Sequence, residues 1–165
     1  MIIYIFILGA SDFIFIDESG VNRHFGRKYY RSKRGQKIHF TKPGRRFSRV
    51  NVIAGLYGKK HLAVHCYTHS TKADFFNDWF EWELLAVVPE GSVIIMDNAS
   101  FHRKKQLYEI AARYNIHLLF LPPYSPDLNP IEHSWANLKR WLDYNADRFP
   151  SIDFAIEYYF GVYGY

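Results

Sequence analysis

This sequence has little cysteine, no long membrane-length apolar run, and a long stretch without acid. Cys66 stands alone among 165 residues, which excludes a disulfide framework and any zinc site built on cysteine pairs. A single thiol also makes an intracellular, cytoplasmic setting the simpler expectation. The opening MIIYIFIL is apolar, but it carries no basic leader and Asp12 interrupts it well short of the ~20 residues a membrane span needs. No membrane partner is expected. Proline is scarce too: seven in all, four of them inside Leu121–Trp135.

The remaining absence concerns charge. Between Glu18 and Asp74 there is no aspartate or glutamate, whereas 14 lysines and arginines fall there. Arg23, Arg27, Lys28, Arg31, Lys33, Arg34, Lys37, Arg45, Arg46 and Arg49 form its dense first part, with Tyr29, Tyr30, Phe40 and Phe47 interleaved. Cations displace counterions from a phosphate backbone and aromatic faces stack on bases, so these ten residues are expected to bind DNA. The plainer alternative is a basic, solvated face, which would normally mix signs.

What is present is ample for one domain. Hydrophobic residues make up 48% of the chain and aromatics 19%, enough for a full core. FIFID (Phe13–Asp17), VNVIAGLY (Val50–Tyr57) and LAVHCY (Leu62–Tyr67) predict strands, with a turn at Gly58-Lys59-Lys60. The segment before Val50 is expected to be another strand between glycine and proline turns. From Thr71 the period becomes helical through Phe76, Trp79 or Phe80 and Leu84, with Thr71 and Asp74 as a capping pair. VIIM (Val93–Met96) and LLFL (Leu118–Leu121) predict buried strands, separated by a helix using Leu107, Ile110, Ala111 and Tyr114. Ile131, Trp135, Leu138 and Leu142 mark the stripe of a further helix, and Ile152, Ala155, Ile156 and Tyr159 that of a last one. Strands first, then alternation of strand and helix, predict an α/β fold: a mixed central sheet flanked by helices.

Two of these apolar strands run into aspartate, at Asp17 and Asp97. Ligands gather at the carboxyl ends of such strands, and a carboxylate following four apolar residues needs a cation or hydrogen bonds to offset its desolvation. Magnesium suits oxygen-only ligands and keeps waters or substrate phosphate in its other positions. Glu132 emerges from the proline-rich loop after the strand next in sequence. It has two readings. Asn129, Pro130 and Glu132 fit a capping box, and the stiff prolines also fit the aiming of a third metal ligand.

Asn98 and His102 follow Asp97 closely. Asn98 and Ser100 can simply turn the chain and cap the next helix, or Asn98 and His102 can support the site, with His102 near DNA. Glu18 should point to the sheet face opposite Asp17, and Asp12 is expected to be structural. His61, His65 and His69 share parity and would line one strand face, yet no fourth ligand fits a zinc site. Glu81 and Glu83 are expected on the solvated side of their helix, and Asp127 in a local turn bond.

IDES around Asp17, MDNASFH around Asp97 and LPPYSPDLNPIEHSW around Glu132 together resemble the catalytic core of mariner-superfamily transposases of the bacterial insertion-sequence branch. The resemblance runs from about Phe13 onward, and the 34 residues between Asp97 and Glu132 match the Asp-Asp-Glu members of that superfamily. It implies a ribonuclease H-like fold in which Asp17, Asp97 and Glu132 are catalytic and hold two Mg2+ or Mn2+ ions, to cleave DNA at transposon ends and join it to target DNA; a catalytically silent DNA-binding remnant of a transposase and another ribonuclease H-like nuclease are the alternatives. It implies double-stranded DNA as partner, both transposon ends and target, with TA dinucleotides as target and a homodimer as the active form. The expected organisation is an apolar lead-in over 1–12, the catalytic domain over 13–145 and a C-terminal helix packed on it over 146–165. The family's upstream helix-turn-helix domain has no room here, so the chain is expected to be a truncated copy or one product of a split reading frame. Work on DNA in a bacterium would place it at the nucleoid.

Overall fold

The computed structural model describes residues 12–22, 49–123 and 125–163. All of the expected 1–12 lead-in except Asp12 lies outside them. So does the basic segment from Arg23 through Arg46, with its expected strand. Five strands form one sheet: β1 (Phe13–Asn22), β2 (Arg49–Tyr57), β3 (Lys60–Tyr67), β4 (Val93–Met96) and β5 (His117–Phe120). Their order across the sheet is β3-β2-β1-β4-β5. β1, β2 and β3 pair antiparallel, as short connections allow, while β4 and β5 continue parallel to β1.

The parallel strands require crossovers, and helices supply them. Helix α1 (Ala73–Trp79), extended by a wide π turn over Phe80–Leu84, leads into β4, and α2 (Lys104–Arg113) joins β4 to β5. Helices α3 (Ile131–Asn145) and α4 (Ile152–Tyr163) follow β5. Alternation along the strands assigns each face its helices. Ile14, Ile16 and Ile53 face α1 and α2 through Phe76, Trp79, Leu84 and Leu107. Val21, Val52 and Ala54 face α3 and α4 through Ile131, Trp135, Leu138 and Phe160. The result is three layers, helices over both faces of a mixed sheet. Among the described residues no helix is long and apolar enough to cross a membrane.

Four local expectations are corrected. β1 does not stop at Asp17 but runs on to Asn22, because β2 pairs with it along that whole length. Its parallel pairing with β4, however, ends at Phe15 opposite Ile95, so Asp17 sits where β1 loses a neighbour on one side. Strand β3 carries a bulge: the register with β2 shifts between Ile53 and Gly55, and Ala63 adopts φ 49°. An extra residue flips everything beyond it. His61 therefore packs against Phe160 of α4, at 4.8 Å between ring centres, whereas His65 bonds Glu83 on the opposite face. The shared parity of the histidines is lost, and the carbonyl of Ala63 accepts the indole N–H of Trp79 at 2.8 Å.

At α1, Lys72 rather than Thr71 occupies the cap, without a side-chain bond. The Thr71 hydroxyl bonds Tyr67 at 2.7 Å, and Asp74 accepts from Arg103 at 2.6 Å. Glu81 and Glu83 are also not free solvent-side charges, since they pair with Arg113 and His65. Asp12 accepts a hydrogen bond from the Tyr57 hydroxyl, in keeping with a structural role.

Candidate active site

Asp17 lies on the α3 side of β1, opposite Ala54 in the register. Its Oδ2 accepts a hydrogen bond from Trp135 Nε1 at 2.9 Å. Trp135 is 1% exposed, wedged edge-on against Phe160. Burial, followed by the charge of Glu132, pushes the Asp17 carboxyl up to about 7 from its usual 3.8. Asp17 thus tends to keep a proton near neutral pH, and a nearby cation would favour its loss.

Asp97 follows the last residue of β4 and has a different environment. Its Oδ1 accepts from the backbone N–H of Ala99 at 3.1 Å and from His102 Nε2 at 3.1 Å. The bond to His102 lowers the Asp97 carboxyl below the usual carboxylate range. A carboxylate only accepts, so the imidazole proton sits on Nε2. The His102 side chain is 1% exposed, shut in by Phe76, Phe101 and Phe120. It is therefore behind Asp97 and cannot reach DNA directly, which corrects that half of its expected role. Neither Asn98 nor Ser100 caps α2, whose cap is Arg103. Asn98 instead lines the cleft.

Glu132 is the second residue of α3, and its backbone N–H bonds Asn129 O at 3.1 Å. The capping box is not formed. Pro130 holds the cap position, with no side-chain cap bond. The Asn129 side chain is used elsewhere: Nδ2 donates to the carbonyl of Ile16 at 3.2 Å. That carbonyl lies just past the last β1–β4 pair, so the loop supplies a donor where the neighbouring strand no longer does.

Asp17, Asp97 and Glu132 line one cleft of about 400 Å³, together with Asn98, Ala99 and the loop residues Leu121, Pro122, Pro123, Ser125, Pro126 and Asn129. The proline segment is thus one wall of the cleft, and the turn after β4 is the other. No lysine or arginine is among these lining residues. Three oxygen donors, one of them driven to hold a proton, suit a hard divalent cation better than any protein counter-ion described. Among the described residues no three His, Cys, Asp or Glu side chains stand close enough to cage an ion by themselves. An open set of this kind leaves coordination to water and phosphate, as magnesium favours.

Glu18 points to the opposite sheet face, as expected. It is partly buried there and its carboxyl is pushed up to about 8, first by burial and then by Asp17 and Asp97. Of the ten basic residues expected on DNA, only Arg49 lies within the described residues. It stands exposed at the start of β2, its Nε donating to Asn51 Oδ1 at 3.0 Å and its guanidinium crossing over Gly20. The sequence marks Trp135 only as part of an apolar stripe and Asn129 only as a cap. Their spacing from Glu132, three residues on either side, was the available signal.

Comparison with known proteins bears on the family and the fold. The family model described as "DDE superfamily endonuclease" matches residues 12–153. The Tc1 transposase of Caenorhabditis elegans is 44% identical over 55 residues, which is 33% of this chain and 20% of that protein. A protein of Sinorhizobium fredii designated y4pE/y4sA is 42% identical over 52 residues, 31% of this chain and 36% of its own length. The chain thus matches about a fifth to about a third of these relatives' lengths. The mariner Mos1 paired-end complex with Mn superposes with a TM-score of 0.71 at 19% identity, over 92% of this chain and 47% of that one. The Mos1 catalytic domain gives 0.60 at 15% identity, over 92% and 69%. The fold is therefore the ribonuclease H-like one, and the chain belongs to the DDE superfamily endonucleases, with the Tc1 transposase similar to part of it in sequence and the Mos1 mariner transposase similar to it in fold.

Proposed function

We propose that this chain is the catalytic core of a DNA transposase, with Asp17, Asp97 and Glu132 as its metal-holding catalytic acids. The observation that carries this reading is that three acids from three separate motifs line one cleft. Structures of Mos1 are described with a transposon end, with Mn and with Mg, which supports DNA and divalent ions as the partners here.

Two Mg2+ or Mn2+ ions held by Asp17, Asp97 and Glu132 would supply charge stabilisation for the attacking and leaving oxygens. The protein's own part is to hold the donors. His102 and the Ala99 amide fix Asp97, the proline loop delivers Glu132, and the apolar cleft walls limit water around the reacting phosphate. In the cleavage step water attacks a phosphodiester phosphorus and the P–O3′ bond breaks, leaving a free 3′-hydroxyl and a 5′-phosphate. In strand transfer that 3′-hydroxyl attacks a target phosphodiester, and the displaced oxygen leaves as a new 3′-hydroxyl. A TA target fits, since TA steps deform readily. Arg49 and the basic residues from Arg23 to Arg46 would carry backbone contacts to DNA, a homodimer would bring two ends together, and the nucleoid would be the place of action.

Glu132→Gln is the test. It keeps shape and removes only charge, and with no capping bond to lose the melting temperature should hold. Losing a transition-state interaction of about 4 kcal/mol slows cleavage roughly a thousandfold. The assay is metal-dependent nicking of transposon-end DNA by the chain, supplemented with an end-recognition domain. Cleavage within a few-fold of the parent rejects the catalytic assignment.

A further inference from the structure

We propose that Asn129 and Trp135 are positioning residues, a two-point clasp that ties the Ile16–Asp17 segment of β1 to the helix start carrying Glu132. The proposal rests on the reading of Asp17 and Glu132 as ion-holding acids. Its geometry is independent of that reading. Asn129 Nδ2 donates to Ile16 O at 3.2 Å, and Trp135 Nε1 donates to Asp17 Oδ2 at 2.9 Å. Both donors are buried, at 4% and 1% exposure. Residues three apart on a helix lie about 60° from one another around its axis, so the start of α3 can present Glu132 and Trp135 to the same strand.

The chemistry of the donors matters as much as their position. Asp17 and Glu132 repel one another, and an untethered Asp17 would relieve the repulsion by turning its side chain away. An arginine or lysine beside Asp17 would hold it, but would also neutralise it and take the place of a cation. An indole N–H is a donor without charge that does not titrate. It fixes one carboxylate oxygen and leaves the charge for an ion. Asn129 fixes the preceding peptide in the same way, so two successive units of β1 are anchored on either side of Glu132. Outer partners of metal ligands act in this manner, and their loss typically costs about 10–100-fold in metal affinity or activity.

The experiment measures Mn2+ binding to the intact chain by electron paramagnetic resonance, without DNA and without turnover. Trp135→Phe removes the donor and keeps an aromatic ring. Benzothienylalanine at position 135 keeps the full indole shape with sulfur in place of N–H, and decides the matter if the phenylalanine variant folds poorly. Asn129→Ala removes the second point. The expected result is Mn2+ affinity lowered about tenfold by either change at 135 and less by Asn129→Ala, with circular dichroism unchanged. The benzothienylalanine variant, which keeps the packing of the indole, should lose Mn2+ affinity as the phenylalanine variant does, which a general packing defect would not reproduce. If Asp17→Asn loses Mn2+ while both variants at position 135 stay within twofold of the parent, the clasp is wrong and the ion site stands. If Asp17→Asn binds Mn2+ like the parent, the ion-site reading falls and the clasp with it.

Discussion

Asp17 and Asp97 line the same cleft from adjacent strands, yet their surroundings move their protons in opposite directions. Asp17 is enclosed, faces Glu132, and is pushed up to about 7. Asp97 is half exposed, bonded by His102 and the Ala99 amide, and lowered. One carboxylate is therefore held at a cost in the absence of a cation, and the other is stabilised by the protein itself. The difference suggests a division of labour: Asp97 is ionised and ready, whereas Asp17 still holds a proton for part of the time near pH 7. A site built this way couples metal entry to proton release.

The sharpest break of this comparison is to neutralise each aspartate in turn. Both Asp17→Asn and Asp97→Asn should reduce cleavage on the order of a thousandfold, as expected for ligands of the reacting phosphate's ions. Their effects on the metal-free fold should have opposite signs. Asp17→Asn removes a buried charge beside Glu132 while keeping an acceptor for Trp135, and should raise the melting temperature at pH 8. Asp97→Asn weakens a charge-assisted bond to a buried imidazole and should lower it. Each change is on the order of 1 kcal/mol, roughly 2–4 °C for a chain of this size. Differential scanning fluorimetry in EDTA reads both, and shifts of the same sign would show that the two environments are not distinct.

The strands and the acids that follow them were legible in the sequence, though the contrast between the two acids was not, and the reason is local. Val93–Met96 is apolar at every position and must be buried, so the strand and the acid after it follow from composition alone. The stripes at Leu107, Ile110 and Ala111 and at Ile131, Trp135, Leu138 and Leu142 gave α2 and α3 for the same reason. What escaped was decided by tertiary competition. Asn129 and Glu132 satisfy every local rule of a capping box, but the unpaired carbonyl of Ile16, distant in sequence, is the better use of that amide. The bulge at Ala63 likewise depends on Trp79, which sequence periodicity cannot connect to it. Trp135 read as core because burial was visible and its hydrogen bond was not.

A second prediction sharpens the comparison through pH. Asp17 is raised from 3.8 to about 7 and Glu18 from 4.5 to about 8, so the folded protein binds protons more tightly than the unfolded chain across that range. Their contribution is fully present below about pH 4 and is lost as pH rises through about 7 to 8. Asp97 has the opposite sign, contributing above the unfolded carboxylate range and losing its contribution as pH falls below it. Metal-free melting temperature should therefore decline between pH 5 and pH 8, by on the order of 5 °C. Saturating Mg2+ should remove most of that decline, and Asp17→Asn should flatten part of it. A melting temperature that rises steadily over the same window would contradict the environment assigned to Asp17.

The smallest expected effect concerns His102, the partner that distinguishes Asp97 from Asp17. Its Nδ1 is buried with no hydrogen-bond partner among the described residues, while Nε2 holds Asp97. His102→Phe would remove both. Losing the bond to Asp97 weakens the hold on that carboxylate, but the Ala99 amide still donates to the same oxygen. Losing the unpartnered Nδ1 removes a desolvation cost, and a phenyl ring fits a neighbourhood of Phe76, Phe101 and Phe120. The two stability terms oppose one another, so the melting temperature should stay within about 3 °C of the parent. Cleavage should fall about tenfold, the lower end for an outer partner of a ligand, and higher Mn2+ should recover part of it. DNA affinity should not change, because the imidazole is shut behind Asp97. A loss of DNA binding with unchanged metal dependence would mean that His102 reaches the nucleic acid after all, and that Asp97 is held by its backbone turn alone.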